Sequence, residues 1–464
     1  MSVIEHGTAE APPPVLAAPR PPQGPLPLRQ FLRLLRDSSI ATYRAEAYSA
    51  DILERHLFWR RTFFVNEPGA IKHVLLDNAA NYAKTEITRR LLEPGLGRGL
   101  LTSEGDTWRR HRRIMAPSFD HRSIVAYAPL MTEIATDLAD RWATLAPGAE
   151  IDVAAAMMKA TLDIISRTMF SSDSDEIVGV VERGVGHYQS GIRPGLIDLL
   201  ELPQWLSRLT SWRRPERVFD QFDQMINRLL AERSRAGGAQ PKDLLARLLA
   251  ARDEDTGSGM TTEEIRNQVV TIFMAGHETT ALALTWTWYL LSQHPAAQEK
   301  LEAELDAVLG GRAPRHEDLG KLRYTRMVLE ESMRLYPPAH TLSRTALAGD
   351  EVLGRHIPAG AQILVVPWLL HRNPKLWPQP GVFDPERFAP ERAATRHRFA
   401  YIPFGAGPRI CIGAAFAMAE AMLLLATIAQ RYRLRLKPGF PVEPQGLITL
   451  RARHGMQMIL ERRA

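Results

Sequence analysis

The sequence predicts a mainly α-helical fold with small β regions, and three observations carry that expectation. A capping-box pattern at Thr261-Thr262-Glu263-Glu264 opens a proline-free apolar run from Ile265 to Leu291. At ~1.5 Å per residue that run makes a helix of about 45 Å, enough to cross a whole domain. Helical periodicity recurs over Tyr127 to Leu145, Ile151 to Phe170 and Pro215 to Arg235. Runs rich in β-branched residues, by contrast, are short and scattered.

Taken in order, the chain starts with residues 1–27, which hold Pro12, Pro13, Pro14, Pro19, Pro21 and Pro22. They read as a disordered or partly polyproline II segment, without the charged start and apolar core of a signal peptide or membrane anchor. Residues 28–464 read as one domain, since no flexible linker divides them. With 45% hydrophobic and 24% charged residues, the composition is that of a globular protein with a large core. The net charge of +6 is dispersed along the chain, which argues against nucleic acid and leaves room only for a local basic face. A cytoplasmic monomer is expected. Leu28 to Arg36 forms a short basic amphipathic helix packed on the body, and Arg60 to Val65 a strand leading to a helix begun by Pro68.

Residues 93–106 read as a loop. On the helix that follows, Trp108 and Arg112 share a face, so an indole N–H and a guanidinium can point at one carboxylate; a solvated basic turn is the alternative. The segment 191–212 interrupts the helical pattern and on its own residues reads as a packed loop, and Gly237-Gly238 ends a helix. In the middle of the long apolar helix stands Gly276-His277-Glu278-Thr279-Thr280. A carboxylate there argues against a membrane span, because it costs roughly 3 kcal/mol on insertion scales. Gly276 lets a flat ligand approach the backbone, Thr279 can turn its hydroxyl to the carbonyl four residues earlier or to a ligand, and Glu278 can bring in protons. A structural threonine beside a capped acid is the competing reading.

Glu331 and Arg334 share a face of the helix Tyr324 to Leu335, but E-x-x-R recurs at Glu86/Arg89, Glu232/Arg235 and Glu263/Arg266, so the spacing alone carries nothing. The abrupt end at Leu335-Tyr336-Pro337-Pro338 and the later Asp384-Pro385-Glu386-Arg387-Phe388 single this pair out. Glu351 to Val366 reads as a small hairpin, Ala414 to Tyr432 as an apolar helix, and the tail as short strands at Leu434 to Lys437, Ile448 to Arg453 and Met456 to Leu460.

Cys411 is the only cysteine among 464 residues and lies in a glycine-rich loop, Phe404 to Gly413. One thiol excludes disulfides, four-sulfur zinc sites and iron–sulfur clusters. It leaves an inert buried thiol, a nucleophile with a histidine partner, or a single axial ligand of haem iron. Gly407 and Gly413 let the backbone approach a flat ligand, and Arg409 suits a carboxylate.

These motifs together resemble the cytochrome P450 superfamily. F-x-x-G-x-R-x-C-x-G is filled by Phe404, Gly407, Arg409, Cys411 and Gly413, and A/G-G-x-D/E-T-T by Ala275, Gly276, Glu278, Thr279 and Thr280. W-x-x-x-R matches Trp108 and Arg112, and the family's fold-fixing triad maps onto Glu331, Arg334 and Arg387. The resemblance implies the P450 fold, with haem b between the long helix and the loop of Cys411, the axial ligand. It implies propionate contacts at Trp108, Arg112, Arg344 and Arg409, with Phe404 and Gly276 against the cofactor. Thr279 would steady bound dioxygen and Glu278 join the proton relay. The implied reaction is monooxygenation, with O2 as co-substrate, of an apolar organic substrate of fatty-acid, terpene or steroid type. Its electrons come from NAD(P)H through a separate acidic ferredoxin or flavoprotein reductase, docked near Arg109, Arg110 and Arg113. Arg409 places the loop nearer the fatty-acid-hydroxylase and eukaryote-like branches than the short bacterial members. A peroxygenase, a rearranging enzyme, or a non-catalytic haem sensor or carrier is the alternative, against which the Glu278-Thr279 pair argues. The resemblance also implies that Leu199, Leu202, Trp205 and Leu206 form an apolar lid over the substrate entrance, an ordinary packed loop being the alternative. The pocket is expected at residues 92–101, Phe273, Met274, residues 339–342, Leu447 and Ile448, with His340 bonding a carbonyl.

Overall fold

The computed structural model describes residues 16–170 and 243–463, apart from Phe58 and Glu254, together with parts of the helical stretch 223–233. The expectations for residues 1–15, for Leu199, Leu202, Trp205 and Leu206, and for Gly237-Gly238 lie outside the described residues. The first elements are α1 (Leu28–Asp37), β1 (Ile52–Leu57), β2 (Arg60–Val65), β3 (Tyr82–Ala83), α2 (Glu86–Leu96), α3 (Gly105–Met115), α4 (His121–Ala143), β4 (Glu150–Asp152) and α5 (Val153–Phe170). There follow α6 (Leu244–Ala250), α7 (Thr262–Gln293), α8 (Pro295–Leu309), α9 (Arg323–Leu335), β5 (Leu342–Ala346), β6 (Asp350–Val352), β7 (Arg355–Ile357) and β8 (Gln362–Val365). The chain closes with α10 (Ala414–Ala429), β9 (Tyr432–Leu436), β10 (Pro444–Gly446), β11 (Leu450–Ala452) and β12 (Gln457–Arg462).

Helix α7 is the axis of the core. Its 32 residues span about 48 Å. Thr261 caps it: the hydroxyl accepts the Glu264 N–H and the Glu264 carboxylate accepts the Thr261 N–H, which satisfies two donors a helix start otherwise leaves unpaired. Trp286 and Trp288 near its end are fully buried, and Trp286 stacks on Tyr336 at 4.2 Å between ring centres. The principal sheet has the order β1-β2-β8-β5-β3, with β2 and β8 parallel and the other pairs antiparallel. Smaller sheets join β4-β12-β9, β6-β7 and β10-β11. Among the described residues no helix is long and apolar enough to cross a membrane.

Four expectations need correction. Residues 16–27 are not free of the body: the Ala17 N–H donates to Tyr289 Oη at 3.2 Å and the Tyr336 hydroxyl donates to Ala17 O at 2.8 Å. Buried aromatic hydroxyls supply the partners that a proline-rich backbone cannot find in itself. Residues 86–96 form a helix where a loop was expected from residue 93, because Pro94 falls in its last turn and Gly97, at φ +61°, closes it. Ile151 and Asp152 pair with β12 instead of opening α5, and Tyr432 opens β9 instead of closing α10. Helix α1 forms as read, yet none of its residues is fully buried.

Glu331 and Arg334 are fully buried at the end of α9 and make a two-pronged ion pair, Nε to Oε2 at 2.6 Å and Nη2 to Oε1 at 2.7 Å. The remaining donors of Arg334 reach His371 O and Pro380 O at 2.8 Å and Val382 O at 2.9 Å. Arg387 Nε lies 3.4 Å from Glu331 Oε1, and the Asp384 N–H donates to the same oxygen at 2.9 Å. Removing one partner strands the other in the core. Glu331→Ala is therefore expected to cost about 3–5 kcal/mol, read as a lower denaturant midpoint at unchanged slope. A change below roughly 1 kcal/mol would show that water reaches Arg334.

Candidate functional site

The middle of α7 departs from the burial of its flanks. Residues 269–273 and 280–291 are buried, whereas Ala275 is exposed and Met274, Gly276 and Thr279 are partly accessible. A helix through the core with an accessible middle borders an interior opening. Leu91 and Leu92 of α2 and Met274 belong to one hydrophobic cluster, which gives the opening an apolar side. Gly276 also lies against α5: a Cβ built on it would stand 3.3 Å from Ile165 Cδ1, so its small size eases the packing of the two helices.

Thr279 donates its hydroxyl to Ala275 O at 2.7 Å, and Thr280 to Gly276 O at 3.3 Å. Glu278 is buried and held by the C-terminal strands: its Oε1 accepts from Thr449 Oγ1 at 2.7 Å and Arg451 Nε at 2.6 Å, and Arg451 Nη2 also donates to it. The acid expected to be available for proton transfer is thus an ion-paired carboxylate. The strand β11 and the turn before it supply both partners.

The loop of Cys411 is built tightly. The Cys411 N–H donates to Phe404 O at 2.9 Å, and the Ile410 N–H to Gly407 O at 3.1 Å. Gly407 stands at φ +69°, and a Cβ on it would lie 1.7 Å from Leu75 O, so only glycine fits. That requirement comes from the chain itself and not from a ligand. Gly413, at φ −91° with nothing nearer than 3.9 Å to a Cβ, carries no such demand. Cys411 is accessible although the protein encloses it; burial pushes its thiol up, while the Gly413 backbone and the charge of Arg112 pull it down. Helix α10 follows directly, and its buried Glu420 bonds Thr280, so the thiol loop is tied to the accessible stretch of α7.

Around the start of α3 lies a cluster of cations. Arg409 places its guanidinium 4.3 Å over the Trp108 ring, donates to Ser103 O at 3.2 Å and pairs with Glu104. Arg344 is brought down to about 10, first by burial and then by Arg409. Lys84, missed in the sequence, falls to about 7 through burial and through Arg409 and Arg344. Arg112 is within electrostatic reach of both Cys411 and Arg409. Lys84, Arg344 and Arg409 thus share the carboxylate of Glu104, with Arg112 beside Arg409, an arrangement that calls for further anions. The neighbouring arginines differ. Arg109 pairs with Asp106, Arg110 with Glu264, and Arg113 with Asp253 and Asp255, so the basic docking face expected of them is neutralised within the chain. His340 is buried, with Nε2 at 2.9 Å from Leu447 O, as a carbonyl partner should be. Nothing local in the sequence marks Lys84, Thr449, Arg451 or Glu420; for Glu104 the one signal is Gly105, whose φ of +60° makes the turn that opens α3.

Comparison with known proteins gives one consistent result. A family model described as cytochrome P450 matches residues 19–452. The cyclooctatin synthase of Streptomyces melanosporofaciens is 37% identical over 436 residues, covering 92% of this chain and 93% of its own length. Cyclooctat-9-en-7-ol 5-monooxygenase of the same organism is 36% identical over 398 residues, 84% of this chain and 83% of that one. The crystal structure of the cytochrome P450DA heme domain superposes with a TM-score of 0.81 at 27% identity, over 97% of this chain and 99% of that chain.

Glu420 generates a prediction of its own. Burial lifts its carboxyl from 4.5 to about 8, against the smaller opposing effect of the Thr280 hydrogen bond. The folded protein holds this proton where the unfolded chain has lost it, so the group's contribution is full below about pH 4.5 and disappears as the pH rises through about 8. Glu420→Gln cannot ionise. It is expected to lessen the fall of the denaturant midpoint across that window; parallel profiles for the two proteins would rule out a titrating Glu420.

Proposed function

Because the chain belongs to the cytochrome P450 family and is a haem monooxygenase of it, we infer that it inserts one oxygen atom of O2 into a C–H or C=C bond of a cyclic, largely apolar substrate of terpene or steroid type. The observation that carries this reading is the accessible Cys411 thiol beside a cluster of cations with a single carboxylate. A haem fits these residues, since its two carboxylates supply anions to the cluster and its iron accepts a thiolate. Cys411 would be the axial ligand, and Trp108, Arg112, Arg344, Arg409 and Lys84 would hold the carboxylate edge of haem b. When bound, the haem activates dioxygen, and a thiolate ligand favours O–O cleavage.

The protein's own residues bind, orient and move protons around that centre. The Leu91, Leu92 and Met274 cluster excludes water and presents an apolar substrate to the accessible face of α7. Thr279, the hydroxyl on that face, is assigned to hydrogen-bond dioxygen after turning from Ala275 O. Glu278 is assigned to supply the proton, which requires exchange of its partners Arg451 and Thr449. Support for a cyclic substrate comes from the relative whose name gives cyclooctat-9-en-7-ol as the compound oxidised. The electrons are assigned to NAD(P)H by way of a separate ferredoxin or flavoprotein reductase, as membership of the family implies.

The reading is tested first by spectroscopy: purified protein should contain haem and, reduced under carbon monoxide, display the Soret shift of a thiolate-ligated iron. A normal histidine-type spectrum would end it. Titration with cyclic terpene alcohols and steroids should give a haem spin-state change, with linear fatty acids weaker. Thr279→Ala should retain reductant consumption yet lose product by roughly tenfold or more, with peroxide released instead. Undiminished product per reductant would remove Thr279 from its role.

A further inference from the structure

The roles above leave one charged group of the cation cluster without a task, the carboxylate of Glu104. We propose that Glu104 is a positioning residue for the cofactor: it fixes the Arg409 guanidinium at the edge where the haem carboxylates bind, and its charge sets both haem retention and reduction potential. The proposal rests on the reading of Arg409 as a carboxylate contact.

The local geometry argues for it. Glu104 stands at the N-terminal boundary of α3, where an acid usually accepts N–H groups of its own helix, but its side chain makes no such bond. Its Oε1 accepts the Lys84 N–H at 3.0 Å, and its Oε2 accepts from Arg409. The left-handed turn at Gly105 directs the chain so that this is possible. The partners of Arg409 named here, Ser103 O, the Glu104 carboxylate and the Trp108 ring, all belong to one short segment. Such an arrangement orients a planar guanidinium on its face and along one edge. A guanidinium has five N–H donors, so an edge held this way leaves others for a ligand's carboxylates.

The charge balance points the same way. Lys84 and Arg344 each lose proton affinity, first through burial and then through the charge of Arg409, and Glu104 opposes that loss in both. Two haem carboxylates and Glu104 would set three negative charges against the guanidinium groups of Arg112, Arg344 and Arg409 and the Lys84 amine, which at about 7 is only partly charged near neutral pH. Removing the Glu104 charge makes the surround more positive. A more positive surround favours the ferrous state, and an unanchored Arg409 holds the cofactor less well.

The experiment uses holoenzyme. Glu104→Gln keeps an amide oxygen for the Lys84 N–H and removes only the charge. Relative to wild type, its midpoint potential is expected to move positive, and its haem to pass to an excess of a scavenging apoprotein about tenfold faster, the loss of one charge-assisted hydrogen bond. In an Arg409→Gln background the added effect of Glu104→Gln on haem transfer should vanish, because Glu104 acts through Arg409. Should Glu104→Gln not fold, Glu104→Asp, which keeps the charge but shortens the reach, should release haem faster with little change of potential. Variants that match wild type in potential and haem transfer, or effects that simply add in the double variant, would overturn the proposal while leaving the haem site intact. A wild-type protein that takes up no haem would remove the site reading and this proposal together.

Discussion

The fully buried Glu331–Arg334 pair is the fixed point from which the thiol loop is suspended. Arg334 donates to His371 O, and the His371 ring in turn accepts the Ile402 N–H at 3.0 Å. That ring must be neutral to accept, and burial together with the charges of Arg334 and Arg372 keeps it well below the usual imidazole range. Ile402 O takes the Gly405 N–H at 3.0 Å, and Phe404 O takes the Cys411 N–H at 2.9 Å. A continuous path of hydrogen bonds therefore runs from a core ion pair to the residue carrying the thiol. Paired charges in a dry interior resist sliding, because any displacement exposes a desolvated ion. The loop inherits that rigidity, and the Leu75 carbonyl over Gly407 removes the remaining freedom.

The motifs that were legible in the sequence are those whose chemistry is contained in a few consecutive residues. The Thr261 capping box, the Glu331/Arg334 spacing on one helix face and the turn of the Thr279 hydroxyl to Ala275 O all follow from helical geometry alone. What stayed hidden joins distant parts of the chain. Arg451 meets Glu278 only because β11 is laid against α7, and Lys84 meets Arg344 and Arg409 only because β3 pairs with β5. No local composition encodes those neighbours. Glu420 was invisible for a related reason: within the apolar run of α10 a single acid looks like an exposed position on one helix face, and only the packing of α10 reveals that it is buried. Residues 86–96 were missed because Pro94 and Gly95 are ordinary loop markers that here occupy the last turn of a helix.

The reasons for individual residues also changed when their neighbours became known. Gly407 stands where the motif requires, and the protein's own packing demands it, since a Cβ there would meet the Leu75 carbonyl. A motif position can therefore be set by the scaffold itself. The arginines of α3 show the converse: Arg109, Arg110 and Arg113 belong to the same basic run as Arg112, yet acidic partners within the chain account for them, and Arg112 alone of the four is linked electrostatically to the thiol.

The two groups assigned to proton handling begin with their hydrogen-bonding capacity committed, and this limits how they can act. A hydroxyl has one proton. While Thr279 donates it to Ala275 O, its oxygen can only accept from a ligand, so donation requires rotation and a lost bond to a backbone carbonyl. A hydroxyl bond of this kind competes with the backbone ladder of α7, so giving it up costs the helix little. Glu278 is the more firmly held of the two, since it is buried and its Oε1 accepts from both Arg451 and Thr449. Arg451 is the more accessible of the pair, with a side chain 27% exposed against 4% for Glu278. The acid meets solvent through its arginine, so β11 and the turn before it are as much part of proton control as the helix that bears the acid.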